Sequence, residues 1–211
     1  MRKKFAVYCS GNASRILKFY SFQHNNNLKP DLIIYDGQKD DIADNLKAIG
    51  AKVFHNICYE NTSIENIKRI NTYTSETIHN SLIKYDCDYL LCFGDKILKS
   101  NLVKNFPKRL INFHPSLLPA FKGLNAIDSA LKSNVSFLGN TVHYINESID
   151  EGEIIAQIAM YRNDFEAYED VLELQFPLIK LVLKNIISFN IKESELELEL
   201  LNRKSPYFIK Y

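Results

Sequence analysis

Three features are scarce in this 211-residue sequence: paired cysteines, long apolar runs and charge of one sign. None of the four cysteines forms a C-x-x-C pair, and disulfide frameworks usually belong to much smaller secreted chains. We therefore interpret the cysteines as reduced thiols that fill the core. His, Cys and carboxylate residues nowhere show ligand spacing, so no metal site is predicted.

Membrane and nucleic-acid partners are not expected either. The longest apolar runs, such as 89–93, are far shorter than the roughly 18 to 20 residues of a membrane span. The apolar run 5–8 is too short for a secretory signal. Lysine and arginine total 26 and acidic residues 25, and a net charge of +1 provides no field for nucleic acid or an anionic membrane. A cytoplasmic protein is expected.

The first hundred residues alternate short apolar runs with segments of helical periodicity. This alternation predicts a Rossmann-like, mostly parallel twisted sheet with flanking helices, an α/β fold. Residues 59–71 are polar and remain ambiguous between helix and loop. The predicted strands are 5–9, 32–35, 52–55 and 89–93. One helix is predicted after the polar turn 10–14, and two others are predicted at 42–49 and 76–84.

The second half continues the pattern without a linker. One domain over 1–211 is therefore predicted, with a Rossmann-like half (1–100) that binds the nucleotide or acceptor and a catalytic half (101–211). Helical spacing over 165–191 is interrupted by Pro177, which indicates a kinked helix or two consecutive ones. The aromatic tail 205–211 is interpreted as a packing or homodimer surface. The other predicted elements are strands 110–113, 140–145 and 154–160 and a helix at 125–132.

Asn112 and His114 stand two residues apart on a predicted strand, so they project to one face at its carboxyl end. Acyl transfer to an amine forms an oxyanion, to which an amide and an imidazolium can both donate. Asp150, beside a glycine-bearing turn, is suited to raise the pKa of His114 and to handle the amine proton. His143 either lines this pocket or is buried.

The run N-x-H-P-S-L-L-P at 112–119, with K-G at 122–123, G-x-T-V-H at 139–143 and D-x-G at 150–152, resembles the folate-dependent formyltransferase family. This family includes glycinamide ribonucleotide, methionyl-tRNA and amino-sugar formyltransferases. The resemblance extends from Phe5 to about Pro177. It implies the formyltransferase fold, 10-formyltetrahydrofolate as co-substrate, and Asn112, His114 and Asp150 as the catalytic residues.

The same resemblance implies that the catalytic half, 101–211, also binds the folate, and it implies where the folate lies. The pteridine is expected against the backbone that follows the strand 89–93 and against the loop 146–150. The residues implied to bind this co-substrate are Gly94, Asp95, Lys96, Ile97, Asn146, Glu147 and Ile149.

The turn 10–15 is similar to the family's phosphate-binding S-G-x-G-S-N turn, although Ala13 and Arg15 replace its second Gly and its Asn. In the glycinamide ribonucleotide enzymes a Glu on the last long helix is expected to hold the acceptor, and Leu172 stands at that position. These departures favour a nucleotide-linked amino sugar as the small-molecule acceptor. The residues expected to bind it are Ser10, Gly11, Asn12, Ala13, Arg15, Lys122 and His143.

Three alternatives remain open. Glycinamide ribonucleotide is a second candidate for the amine. A non-catalytic module that binds folate or a nucleotide is a third hypothesis, which the intact trio opposes. A hydrolase, in which water replaces the amine, would release formate without an acceptor.

Overall fold

The structure is a computed structural model that describes residues 2–22, 25–55, 64–164, 168–192 and 207–210. The chain divides into two compact units. Residues 3–111 and 145–147 form one, which we call the amino-terminal unit. Residues 1–2, 112–144 and 148–211 form the other, the carboxyl-terminal unit.

The amino-terminal unit alternates strands with helices, as the sequence predicts. Its strand order is β3-β2-β1-β4, and the β1–β2, β2–β3 and β1–β4 pairs are parallel. A short helix, α4, was not predicted. The elements are β1 (Phe5–Cys9), α1 (Ser14–Ser21), β2 (Leu32–Tyr35), α2 (Asp40–Ala48), β3 (Lys52–His55), α3 (Ile64–Lys84), β4 (Tyr89–Phe93) and α4 (Asn101–Asn105).

Strands β1 and β2 are buried at every residue, which is why they read as continuous apolar runs rather than as alternating ones. Leu82 of α3 and Leu102 of α4 pack with strand residues such as Leu32 in one core cluster. Cys87 and Cys92 are free, buried thiols, and burial raises the pKa of each to about 12. They fill the core as predicted, whereas Cys58 lies outside the described residues.

Helix α3 begins at Ile64, within the segment that the sequence left ambiguous and well before the predicted start at Glu76. Its buried face carries polar residues that accept backbone hydrogen bonds. The Asn71 Oδ1 accepts from the Ile97 N–H at 3.3 Å, and the Ser75 Oγ accepts from the Lys99 N–H at 3.1 Å. A helix that buries hydrogen-bonded polar groups lacks the apolar period on which the prediction depends.

The carboxyl-terminal unit has the strand order β5-β6-β7-β8, with antiparallel β6–β7 and β7–β8 pairs. The tail packs back as strand β8, where Tyr207 is paired with Ala159. The elements are β5 (Leu110–His114), α5 (Ala126–Lys132), β6 (Phe137–Tyr144), β7 (Ile154–Tyr161), a 3-10 turn (Arg162–Asp164), α6 (Tyr168–Glu173), α7 (Gln175–Asn185) and β8 (Tyr207–Lys210).

Two consecutive helices, α6 and α7, confirm one of the two arrangements predicted for this segment. Helix α7 begins just before Pro177, because proline lacks an N–H and is tolerated only in a first helical turn. Gln175, which is fully buried, donates from its Nε2 to the Phe113 carbonyl at 3.1 Å and to the Asn140 Oδ1 at 2.8 Å. These bonds fix the start of α7 against β5 and β6.

Among the described residues, no helix has the length and hydrophobicity that a membrane crossing requires.

Candidate active site

Strand β5 carries Asn112 and His114 at its carboxyl end, with the buried Phe113 between them. The period of two along a strand turns the two polar side chains to the same side, as predicted. His114 is 5% exposed and Asn112 is half-buried. Because buried polar groups require partners, the contacts of these two side chains define the site.

The imidazole of His114 lies between two acceptors. Its Nε2 is 2.9 Å from the carbonyl oxygen of Phe121, and its Nδ1 is 3.5 Å from the Oδ2 of Asp150. Since a carbonyl oxygen only accepts, Nε2 carries the hydrogen in the neutral ring. Burial lowers the pKa of His114, although the Phe121 carbonyl and the charge of Asp150 both act to raise it. Asp150 therefore acts on this pKa in the predicted direction, but desolvation of the imidazolium outweighs the carboxylate.

Asp150 joins the two histidines of the site. Its Oδ2 accepts from the Gly123 N–H at 2.8 Å, and its Oδ1 lies 3.6 Å from the Nε2 of His143. Burial alone would raise the pKa of this carboxyl, but His143, the Gly123 N–H and His114 together hold it below its ordinary value. Asp150 has a left-handed φ of 54°, which aspartate tolerates better than most residues.

His143 is nearly enclosed, with 3% of its side chain exposed. Its Nδ1 is 2.9 Å from the carbonyl oxygen of Tyr144, and its Nε2 is 3.2 Å from the Nδ2 of Asn112. The predicted trio and His143 therefore form one connected polar cluster in the carboxyl-terminal unit. His143 contacts the trio rather than presenting a surface to an acceptor.

The loop after His114 is held by strand residues that the sequence analysis did not identify. The Thr141 Oγ1 donates to the Ser116 carbonyl at 2.7 Å and accepts from the Leu118 N–H at 3.0 Å. Gln157 donates from its Nε2 to the Leu118 carbonyl at 2.9 Å and to the Thr141 Oγ1 at 2.8 Å. The signal that could have found Gln157 is a polar residue inside an apolar strand.

Ser116 completes this support. Its hydroxyl donates to the Ala120 carbonyl at 2.7 Å and lies 3.3 Å from the Phe121 carbonyl that accepts from His114. Lys122, predicted to bind the acceptor, pairs with Glu151 at 2.7 Å, next to the bond between Gly123 and Asp150. These contacts join the 121–123 loop to the 150–151 loop.

Known proteins share the sequence pattern of this chain. The model of the formyl transferase family matches residues 3–169, which is most of the chain.

This chain belongs to the formyl transferase family.

Relatives of known name agree with that assignment. Phosphoribosylglycinamide formyltransferase of Bacillus subtilis (strain 168) is 30% identical over 173 residues, covering 80% of this chain and 85% of its own. The chloroplastic phosphoribosylglycinamide formyltransferase of Arabidopsis thaliana is 34% identical over 167 residues, covering 75% of this chain, which spans 55% of that relative's length. At the level of the family, the predicted folate-dependent formyl transfer with 10-formyltetrahydrofolate as co-substrate is confirmed.

The fold is confirmed as well. The crystal structure of phosphoribosylglycinamide formyltransferase from Streptococcus pneumoniae TIGR4 superposes with a TM-score of 0.70, covering 86% of this chain and 97% of that chain. At 23% identity this likeness concerns the fold alone.

In this member of the family, the predicted phosphate turn lies between β1 and α1. Ala13 adopts a left-handed φ of 50°, a conformation that glycine adopts more readily. The Ser14 N–H donates to the Asn12 side chain at 3.2 Å, so this donor is already partnered. Arg15 donates from Nη2 to the Phe93 carbonyl at 2.7 Å, and its guanidinium lies over the Phe93 ring.

A buried carboxylate beside this turn was not identified from the sequence. Asp36, 5% exposed, follows β2 and accepts from the Tyr8 hydroxyl at 2.5 Å. The Ser10 hydroxyl donates to the Tyr8 oxygen at 3.2 Å, and the Asp95 N–H donates to the Ser10 Oγ at 3.2 Å. Burial raises the pKa of Asp36 against the hydrogen bonds from Tyr8 and Ser10, which lower it.

The residues predicted to contact folate differ in exposure. Ile97, in the amino-terminal unit, is 39% exposed, and Ile149, in the carboxyl-terminal unit, is 52% exposed. Lys96 pairs with Asp95 at 2.9 Å, and Glu147 lies 4.0 Å from Lys104 in an exposed pair. A Cβ on Gly94 would meet the Tyr8 ring at 2.0 Å, so this position excludes side chains.

The position that the family resemblance assigns to an acceptor-binding Glu is apolar here. Leu172 of α6 is half-buried and packs with Phe121 and Val135 against a core cluster that contains Ile127. The side chain therefore contributes to packing, and no carboxylate is available there. The described residues also contain no group of three or more His, Cys, Asp or Glu that could hold a metal ion.

Proposed function

We propose that this protein transfers the formyl group of 10-formyltetrahydrofolate to a primary amine, and that glycinamide ribonucleotide is the first acceptor to test. The convergence of Asn112, His114 and Asp150 in one polar cluster supports the chemistry. The names of the two relatives above support this acceptor.

Each residue of the cluster has a role in the proposed reaction. The neutral amine attacks the formyl carbon, a C–N bond forms, and the carbonyl oxygen becomes an oxyanion. Asn112 donates from its Nδ2 to that oxygen without changing charge. Collapse of the intermediate then breaks the bond between the formyl carbon and the folate nitrogen.

Asp150 and His114 manage the proton that the amine loses. Asp150 accepts this proton, because its lowered pKa keeps it ionised at neutral pH. The His114 Nδ1 at 3.5 Å is the next acceptor, and the resulting imidazolium would donate to Asp150 and to the Phe121 carbonyl. The proton leaves on the folate nitrogen. His114 therefore contributes its positive charge to the oxyanion, while both of its nitrogens face acceptors within the cluster.

A nucleotide-linked amino sugar is the second candidate acceptor. Leu172 supports it, because a leucine at this position cannot pair with a charged or hydrogen-bonding acceptor group.

The test is a coupled assay of the purified protein with 10-formyltetrahydrofolate and either glycinamide ribonucleotide or a panel of nucleotide-linked amino sugars. We expect formyl transfer to one of these amines and a 100- to 1000-fold lower kcat for Asn112→Ala, the usual scale for an oxyanion donor. Asn105→Ala is the matched control, because Asn105 makes the same amide–imidazole contact with His79 at 2.9 Å in an exposed pair.

The outcomes separate the alternatives. Near-normal turnover of Asn112→Ala would refute the oxyanion role. Folate binding without transfer to any amine would indicate a non-catalytic module, and formate release without an acceptor would indicate a hydrolase.

A further inference from the structure

His143 follows an irregularity in the antiparallel pairing of β6 with β7. Val142 is paired with Ala156, but the next residue, His143, is paired with Ile154, so Ile155 is left over as a β-bulge. A bulge twists the local backbone and re-aims the side chains beside it. His143 is the first residue beyond this bulge, and its ring contacts Asn112 and Asp150.

The carbonyl of Tyr144 determines which ring nitrogen of His143 carries the hydrogen. This oxygen only accepts, and it lies 2.9 Å from Nδ1, so Nδ1 donates to it. In a neutral imidazole the Nε2 then presents a lone pair. Nε2 lies 3.2 Å from the Asn112 Nδ2 and 3.6 Å from the Asp150 Oδ1, so the amide is its nearer partner.

Gly152 maintains this arrangement. A Cβ at this position would lie 1.6 Å from the Tyr144 oxygen and 3.3 Å from the His143 Nδ1. The Tyr144 N–H also donates to the Glu153 carbonyl at 2.9 Å, which holds the same peptide segment. The glycine of the D-x-G motif is therefore required for the close approach of the backbone to His143.

Because the lone pair of the His143 Nε2 accepts a hydrogen bond, it favours one orientation of the Asn112 amide. The carbonyl oxygen of Asn112 would repel the lone pair of His143, whereas its NH2 group donates to it at 3.2 Å. One amide hydrogen is used in this contact, and the second stays on the same nitrogen. The NH2 group is thereby fixed toward His143, and its second hydrogen is left for the oxygen of the proposed reaction.

We propose that His143 is a positioning residue, which uses its bulge-directed, Nδ1-protonated ring to hold the Asn112 amide with its NH2 group toward the reacting oxygen. This role rests on the proposed function. It differs from the role of Asn112, because His143 acts on the reacting oxygen through that amide.

The kinetic test is a double-mutant cycle. We expect His143→Leu to lower kcat about 3- to 10-fold, the scale of one neutral hydrogen bond, with little change in the KM for folate or acceptor. His143→Gln, whose Oε1 can accept from Asn112, should recover part of that loss. In an Asn112→Ala background, His143→Leu should have almost no further effect. His79→Leu is the control for removing a histidine that is bonded to an asparagine.

A spectroscopic test does not depend on activity. Long-range 1H–15N NMR of the imidazoles should show His143 as the Nδ1–H tautomer at pH 7, and Gly152→Ala should shift that signal. Additive kcat losses in the cycle, or an Nε2–H tautomer, would overturn the proposal. If the wild-type protein transfers formyl to no amine, the proposed function fails, and the tautomer still decides whether the orienting contact exists.

Discussion

At the scale of single residues, the orientation of an atom matters as much as the identity of the side chain. His114 would be an oxyanion donor by composition, yet both of its nitrogens face acceptors within the cluster. Asn112 has an NH2 group with a hydrogen to spare, because its partner is a single lone pair. In the proposed reaction, Asn112 is therefore the uncharged donor to the oxyanion, and Asp150 and His114 accept the proton.

Asp36 allows a prediction about the acceptor. If the turn at Ser10 receives a phosphate, the nearby carboxylate opposes it, and Asp36→Asn should lower the KM for glycinamide ribonucleotide about 3- to 10-fold, which corresponds to a charge interaction of about 1 kcal/mol. Steady-state kinetics at low ionic strength would measure this change. Asp44→Asn, in an exposed pair with Lys47, is the control. An unchanged KM would show that the turn does not hold the phosphate of this acceptor.

At the scale of elements, the site depends on strands β6 and β7 holding the loop that follows β5. Thr141 and Gln157 bind the backbone of Ser116 and Leu118, and this loop supplies the Phe121 carbonyl to His114. The support lies in buried polar side chains within apolar strands. Such positions give no periodic signal of their own.

Thr141→Val tests this support with little change in side-chain volume. The variant leaves the Leu118 N–H without its acceptor and removes a partner of Gln157. We expect the free energy of unfolding in urea to fall by about 1 to 3 kcal/mol, the cost of an unsatisfied buried polar group. Thr72→Val is the control, because Thr72 is only partly buried and its hydroxyl donates to the Lys68 carbonyl within its own helix. Equal stability of the two variants would contradict the supporting role.

At the scale of the whole molecule, the site makes stability depend on pH. Because the pKa of His114 is lowered in the folded state, the unfolded chain binds a proton first as the pH falls below about 6.5. The contribution of His114 to the free energy of unfolding is therefore fully present above that pH. It is lost as the pH falls toward the pKa of His114 in the folded protein. Asp150, whose pKa is also lowered, adds a loss below pH 3.8, while the raised pKa of Asp36 acts in the opposite direction.

We predict that a variant without this imidazole loses less stability on acidification than the wild type does. Unfolding free energies of the wild type and His114→Asn, measured in urea at pH 7.5 and pH 5.5, should fall more steeply for the wild type. Parallel pH curves for the two proteins would show that His114 does not titrate differently in the folded state.

The sequence by itself determined the strand and helix alternation of residues 5–55, because continuous apolar runs and polar turns are local signals. It also determined Asn112 and His114 as a pair, because the period of two on a strand is independent of the rest of the fold. It did not reveal the early start of α3, since Asn71 and Ser75 are buried through bonds to a loop distant in sequence.

Only the tertiary structure decided the electrostatics of the site. The pKa of His114 falls rather than rises because the fold removes water from the ring, and no local pattern reports that burial. The role proposed for His143 likewise rests on its contacts with Asn112, Tyr144 and Asp150. These contacts depend on the bulge in the pairing of β6 with β7. Residue types and their periodicity are properties of the local sequence, whereas desolvation and the distances between atoms arise only when distant segments pack.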